Sequence, residues 1–248
     1  MYKLIAIVIV ALTLAGPAKA QNTIFLSHGR IEYERRINVF AQIGNDDDQW
    51  SEFRKKLSNH FKTSYFDLLF TRDKSLYKPG RESPDREVFS FWQAPAQDNT
   101  VYSDLDNAKA ISQKNVFEQA FLIQDSLRQI KWKITDETRV IAGFNCRRAN
   151  AIIMDSIYVV AFYTDEILTD SGPESFTGLP GMILGVSLPH QHISWFATKV
   201  EATPVAENQV TPPAKGKKVD NAILLQTVKP IMKDWRKLGQ QYLEAILL

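Results

Sequence analysis

Ile31-Glu32-Tyr33-Glu34-Arg35-Arg36-Ile37-Asn38-Val39 alternates, with Ile31, Tyr33, Ile37 and Val39 on one side and Glu32, Glu34, Arg36 and Asn38 on the other. A period of two, with charges opposite apolar residues, marks a half-buried strand of an antiparallel sheet that keeps one face in water. Downstream, Asp46, Asp47 and Asp48 offer N-cap carboxylates to a short amphipathic helix carrying Trp50, Phe53, Leu57 and Phe61. A second strand region runs over 63–77 and fades at Pro79-Gly80. Residues 79–99 read as a long loop anchored by Val88-Phe89-Ser90-Phe91-Trp92. Strand patterns follow at 116–124, 129–135, 138–145, 148–154 and 156–164, with turn-prone Asp125-Ser126, Asp136-Glu137 and Asp155-Ser156 between them. Spacing this short predicts a meander, and a further pair at 182–188 and 193–201 closes the strand-rich part.

Residues 202–218 have a linker composition, with Pro204, Pro212, Pro213, Gly216, Lys215, Lys217 and Lys218. Beyond them Leu224, Val228, Ile231, Trp235, Leu238, Tyr242 and Ile246 recur at helical spacing. Pro230 inside that stripe either kinks the helix or begins a new one. The stripe suits packing on the chain's own sheet or on a partner. The expected fold class is therefore mainly β (α+β): a curved antiparallel sheet, one or two packing helices and a C-terminal helical appendage. Its parts are a β-rich domain over 21–201, the linker over 202–218 and the helical segment over 219–248.

The N-terminus predicts export. Lys3, an apolar core from Leu4 to Leu14 and the ending Ala18-Lys19-Ala20 form a secretory signal over 1–20, cut before Gln21. The core is too short to span a bilayer, and Gln21 stands where a lipid-attachment cysteine is needed, so the expected product is soluble and without a transmembrane anchor. Cleavage removes Lys3 and Lys19, so 30 basic residues fall to 28 and match the 28 acidic ones. A neutral chain lacks the basic surplus of a nucleic-acid or membrane-surface binder. With Cys146 as its one cysteine the chain forms no internal disulfide, and 44% hydrophobic residues give it a packed core instead.

Ser171-Gly172-Pro173-Glu174-Ser175-Phe176-Thr177-Gly178-Leu179-Pro180-Gly181-Met182-Ile183 is the most distinctive stretch. Pro180 and Gly181 suit the central positions of a type II turn, Gly178 suits a close backbone approach, and Leu179 would pin the corner to the core. The segment resembles the GLPGLI family of exported Bacteroidetes-type proteins, whose motif here reads Gly178-Leu179-Pro180-Gly181-Met182-Ile183, with Met182 in place of Leu. Further matches are Ile141-Ala142-Gly143-Phe144-Asn145-Cys146-Arg147-Arg148-Ala149 and Ala161-Phe162-Tyr163-Thr164-Asp165-Glu166-Ile167, so the resemblance covers about 115–200. It implies a Gram-negative envelope, with periplasm favoured, and carries over no catalytic residue.

Three constellations suggest chemistry. His190 and His192, two apart on a strand, could hold copper or zinc with Cys146 as third ligand. Cys146 could instead be a nucleophile with either His as base, although no catalytic signature surrounds it. Asp46-Asp47-Asp48 and Asp104-x-Asp106-Asn107 offer oxygens for calcium but miss the spacing of an EF-hand loop, and capping accounts for both. HExxH, GxSxG and CxxC are absent from the sequence. The leading expectation is a non-catalytic envelope protein that binds a partner or an apolar ligand, with no cofactor. A metal-handling protein and an enzyme of unknown class are the alternatives.

Overall fold

The computed structural model describes residues 25–43, 56, 60–84, 96–233 and 236–248. The signal at 1–20, most of the helix expected over 46–61 and the anchor at 88–92 lie outside these residues. Strand β1 (Gly29–Asn38) runs into a short helix, α1 (Val39–Ile43), whose Ala41 N–H donates to Asn38 Oδ1 at 3.0 Å. Val39 thus begins a helix instead of ending the strand, because Asn38 caps it.

From β1 the chain meanders through β2 (Phe61–Phe70), β3 (Lys74–Pro79), β4 (Thr100–Asp104), β5 (Lys109–Val116) and β6 (Gln119–Ser126). A crossing segment, 127–132, leads to a second meander of β7 (Lys133–Ile141), β8 (Phe144–Ile153), β9 (Ile157–Thr164), β10 (Met182–Leu188) and β11 (Ile193–Glu201). Strand β11 then pairs with β1 and joins the meanders into one sheet of order β12-β6-β5-β4-β3-β2-β1-β11-β10-β9-β8-β7. Every pairing is antiparallel except that of β12 (Lys217–Val219), which lies parallel to β6. The sheet is mixed, curls enough to bring β7 near β11, and does not close into a barrel.

Several expected boundaries move. The region 63–77 is two strands joined at Thr71-Arg72-Asp73, and β4 and β5 carry no long apolar run to announce them. Asp136-Glu137 is a bulge inside β7, not a turn: Ile134 pairs with Ala149 and Thr138 with Arg147, leaving Thr135–Glu137 opposite Arg148. The stretch 202–218 crosses the outer face, where Val210 is buried with Leu76 and Tyr102, and its last two residues begin β12.

On β1 the alternation holds: Ile31, Tyr33 and Ile37 are at most 2% exposed. On the wetted face Arg30 pairs with Asp67 at 2.9 Å and Glu201 at 3.1 Å, and Arg81 with Glu32 at 3.0 Å. The inner face holds two apolar clusters. One gathers β1, β2 and β8–β11 around Tyr33, Phe66, Phe176 and Trp195. The other packs Val116, Phe121 and Ile123 against Leu224, Val228 and Met232 of α2 (Asn221–Met232) and Leu243 and Ile246 of α3 (Arg236–Leu247). Asp220 caps α2 by accepting from the Ile223 N–H, and Pro230 sits in its last turn. Ile231, expected on the buried stripe, is 51% exposed, and Met232 takes that place. Spacings of four from Leu224 through Val228 to Met232 keep the buried side facing β6.

Candidate functional site

From the first cluster toward the second, a buried row of polar and amphipathic side chains crosses the inner face. It starts at Trp195 on β11, beside Arg35 on β1, its register partner. Tyr77 on β3 follows, stacked on Phe66 with ring centroids 4.8 Å apart. Asn99, just before β4, and Lys114 on β5 complete it; the β4–β5 register, extended by one residue, sets these two opposite each other. All five are 4% exposed or less. Alternation places Arg35 here: it stands between Tyr33 and Ile37 on the apolar side of β1, which is the signal the sequence offered.

Over this row lies the connection between β9 and β10, residues 165–181, a strap containing the distinctive stretch. Connections usually stay on the surface because a buried one must satisfy its own polar backbone. Here Leu26 N–H donates to Glu166 O at 2.9 Å and Leu26 O accepts from Leu168 N–H at 2.8 Å, Ile183 N–H donates to Ser171 O at 2.8 Å, and Thr169 Oγ1 donates to Thr71 O at 2.7 Å. Ser171 Oγ lies 2.6 Å from Ser75 Oγ, and Phe176 meets Trp195 edge-on at 6.1 Å. The strap delivers Glu174, 1% exposed, into the row, where Asn99 Nδ2 donates to its Oε2 at 2.9 Å.

The corner 178–181 departs from a type II turn. Gly181 N–H donates to Leu179 O at 2.8 Å, closing a three-residue turn about Pro180, and also to Asp170 Oδ1 at 2.9 Å. Met182 N–H goes to Ile167 O, so the strap's own partner takes the donor a type II turn would use. Gly181 has a φ of +125°, and a Cβ there would stand 2.1 Å from Thr164 O. Gly178 has a φ of +87° but only Trp132 within 4 Å, so its role is the dihedral and not a close approach. Leu179 is buried, as expected.

Charge in the row is unbalanced toward the positive. Burial pushes Glu174 up, against the pull of Arg35, Lys114 and Asn99. Burial also lowers Arg35 and brings Lys114 down to about 8, with Glu174 opposing the shift and Arg128 reinforcing it. Lys114 Nζ donates to Ile246 O at 2.9 Å. Arg128, from the 127–132 crossing, donates to Leu247 O and, at 3.2 Å, to Ser175 Oγ, while Ser175 donates to Leu248 O. Two cations and a hydroxyl thus converge on the carbonyl oxygens at the end of α3, where the helix dipole is negative. Nearby, Glu174 Oε1 is buried without a hydrogen-bond partner among the described residues, and Tyr77 Oη and Trp195 Nε1 are buried with no partner there but each other. Each such atom costs about 1–3 kcal/mol unless a water or ligand atom meets it.

The residues singled out from sequence do not gather here. Cys146 is fully buried, its thiol pushed up to about 12 mainly by burial, and it donates weakly to Phe144 O at 3.6 Å. That environment disfavours thiolate. His190 and His192 are exposed and sit in the β10–β11 turn, not on a strand; His192 has a φ of +57°. By register Cys146 lies across from Thr164 and hence near Met182, at the other end of β10 from the turn after Leu188. Six residues of strand put the thiol on the order of 20 Å from the imidazoles. Among the described residues no group of three or more His, Cys, Asp or Glu could hold a metal ion. Asp104 accepts from the Asn107 N–H and Nδ2, both at 3.0 Å, and so caps the β4–β5 turn. An open groove of about 260 Å³ borders His192, Arg36, Phe61 and Pro189, and a closed space of about 10 Å³ lies between Ile37, Gln42, Gln191 and Tyr242. No helix among the described residues is long and apolar enough to cross a membrane.

A family model described as a protein of unknown function (Porph_ging) matches residues 152–185, from the end of β8 through β9 and the strap into β10. The match lies inside the stretch of about 115–200 that resembles GLPGLI proteins, and it is to an uncharacterised family under another description. No curated protein matches the chain. Solved structures of PNGF-II in the C2 and P21 space groups share 14% identity with it at TM-scores of 0.52 and 0.53. The superpositions cover 85% of this chain but 33% and 34% of those chains, so it spans about a third of their length. What it shares with PNGF-II is the fold alone.

Proposed function

We propose that this chain is an exported, non-catalytic binding protein of the envelope that takes an apolar ligand, or an apolar segment of a partner, on the inner face of β4–β6. The observation that carries this reading is the separateness of the apolar cluster beneath α2 and α3. Val116, Phe121 and Ile123 form an apolar face separate from the main core, and the chain's own helices cover it as a guest would. Leu248, just past α3, reaches the main cluster, and Tyr242 and Ala245 of α3 face Ile37, Ile157 and Ile193 of it across a small space. On this reading α2 and α3 lift from the sheet as a local opening while the main core of β1, β2 and β8–β11 stays packed.

Two measurements test the proposal. Titration with the neutral apolar fluorophore 1-aminoanthracene should give saturable one-to-one binding and loss of hydrogen-exchange protection over 221–248. Absence of saturation, with α2 and α3 as protected as before, would remove the binding reading. Fractionation of expressing cells should place the chain in the periplasm with Gln21 as its first residue, whereas an uncut cytoplasmic product contradicts export.

A further inference from the structure

The groove beneath α3 ends in a set of donors whose chemistry names its guest. Lys114 Nζ and Arg128 Nη2 point at the peptide carbonyl oxygens of Ile246 and Leu247, and Ser175 Oγ at a main-chain oxygen of Leu248. Two cations with a hydroxyl are a set for an oxyanion, since charge-assisted bonds to an anion are stronger than those to a neutral carbonyl. Beside this set the wall is apolar: Val116, Phe121 and Ile123 hold the side chains of Leu243 and Ile246. The resident segment therefore presents an apolar body that ends in electron-rich oxygens. Glu174 is the one carboxylate that faces Lys114 in this row, and Asn99 bonds it from the far side.

We propose that the ligand of this groove is a single-chain amphiphile with an acidic head, its head held by Lys114, Arg128 and Ser175 and its tail on Val116, Phe121 and Ile123, in the place the last turn of α3 now takes. This rests on the binding reading above and adds the charge of the head. Acidic and neutral guests differ only at the donor set, so the head governs affinity while the tail gives a common background. The last turn of α3 is then an internal competitor, released when the acidic head arrives.

The test compares palmitate, hexadecanol and hexadecyltrimethylammonium as displacers of bound 1-aminoanthracene from the full chain. Palmitate should displace the probe at roughly a tenth of the hexadecanol concentration or less, and its binding should expose the amides of 243–248 to hydrogen exchange. Arg128→Gln changes a half-buried side chain and should bring palmitate close to hexadecanol without weakening hexadecanol, since it also loosens the last turn of α3 from its bond to Leu247 O. Equal displacement by all three amphiphiles would overturn the acidic head and leave the apolar groove standing. Failure of all three, together with failure of the fluorophore, would overturn both. Tight palmitate binding with 243–248 still protected would place the head elsewhere and also overturn the proposal.

Discussion

Lys114 shows how one buried residue ties stability to pH. An exposed lysine titrates near 10.5, and in the fold Lys114 is lowered to about 8, chiefly by burial. Below pH 8 the folded chain must keep a desolvated ammonium, at a cost of about 3 kcal/mol for the difference between the two pKa values. Between pH 8 and 10.5 the unfolded chain holds this proton and the folded chain has released it, so the contribution of Lys114 to stability rises with pH across that window. Lys114→Met cannot titrate. Urea unfolding at pH 7 and pH 10.5 should therefore show the wild type gaining up to about 3 kcal/mol on the variant; a difference that stays constant would mean that Lys114 titrates as an exposed lysine does. Comparison with the variant cancels other groups, including Cys146, whose raised pKa acts in the opposite sense at higher pH.

At the scale of elements, the strap is the part whose structure depends most on backbone geometry. Its corner places a positive φ at Gly181 against the Thr164 carbonyl, and no side chain fits there. Gly181→Ala should cost roughly 2–4 kcal/mol, read as a lower urea midpoint, with Trp195 fluorescence shifting as Phe176 leaves it. An unchanged midpoint would show that the strap accommodates a methyl by shifting away from β9. Helices α2 and α3 follow a different logic: they rest mainly on the second cluster, with Leu248 in the main one and a few polar bonds, and on the proposed reading they are the elements that yield to a guest.

For the molecule as a whole, an open sheet of this size has two exposed ends, and β7 is the long one. Ile134 and Val140 are 40% and 65% exposed there, which would invite pairing with another sheet. The bulge at Thr135–Glu137, fixed by Arg148 donating to Glu137, interrupts the row of free backbone groups, and Lys133 and Arg139 charge it. Deleting Asp136 and Glu137 removes two residues and keeps the alternation of side chains, so it should straighten the edge. Light scattering should then report concentration-dependent association beyond that of the wild type. A deletion variant no larger than the wild type would show that charge alone protects the edge.

Alternation at Ile31–Val39 was enough to give an antiparallel sheet with one wet face, and the helical spacing after Asp220 was enough to give the C-terminal helices, because both patterns are local and repeat at the period of their element. Arg35 was legible in the same pattern as a charge on the apolar side, and Gly181 as a position for a positive φ. The sequence could not show that Arg35, Tyr77, Asn99, Lys114 and Glu174 form one buried row: they come from three strands, the residue before a fourth and a strap, up to 139 residues apart, and only the register of the sheet brings them together. For the same reason Cys146 and the two histidines, which the sequence offered as one site, lie at opposite ends of β10. Residue type and period set the elements of this protein, while strand register and the path of the strap, both products of long-range packing, decided where its chemistry lies.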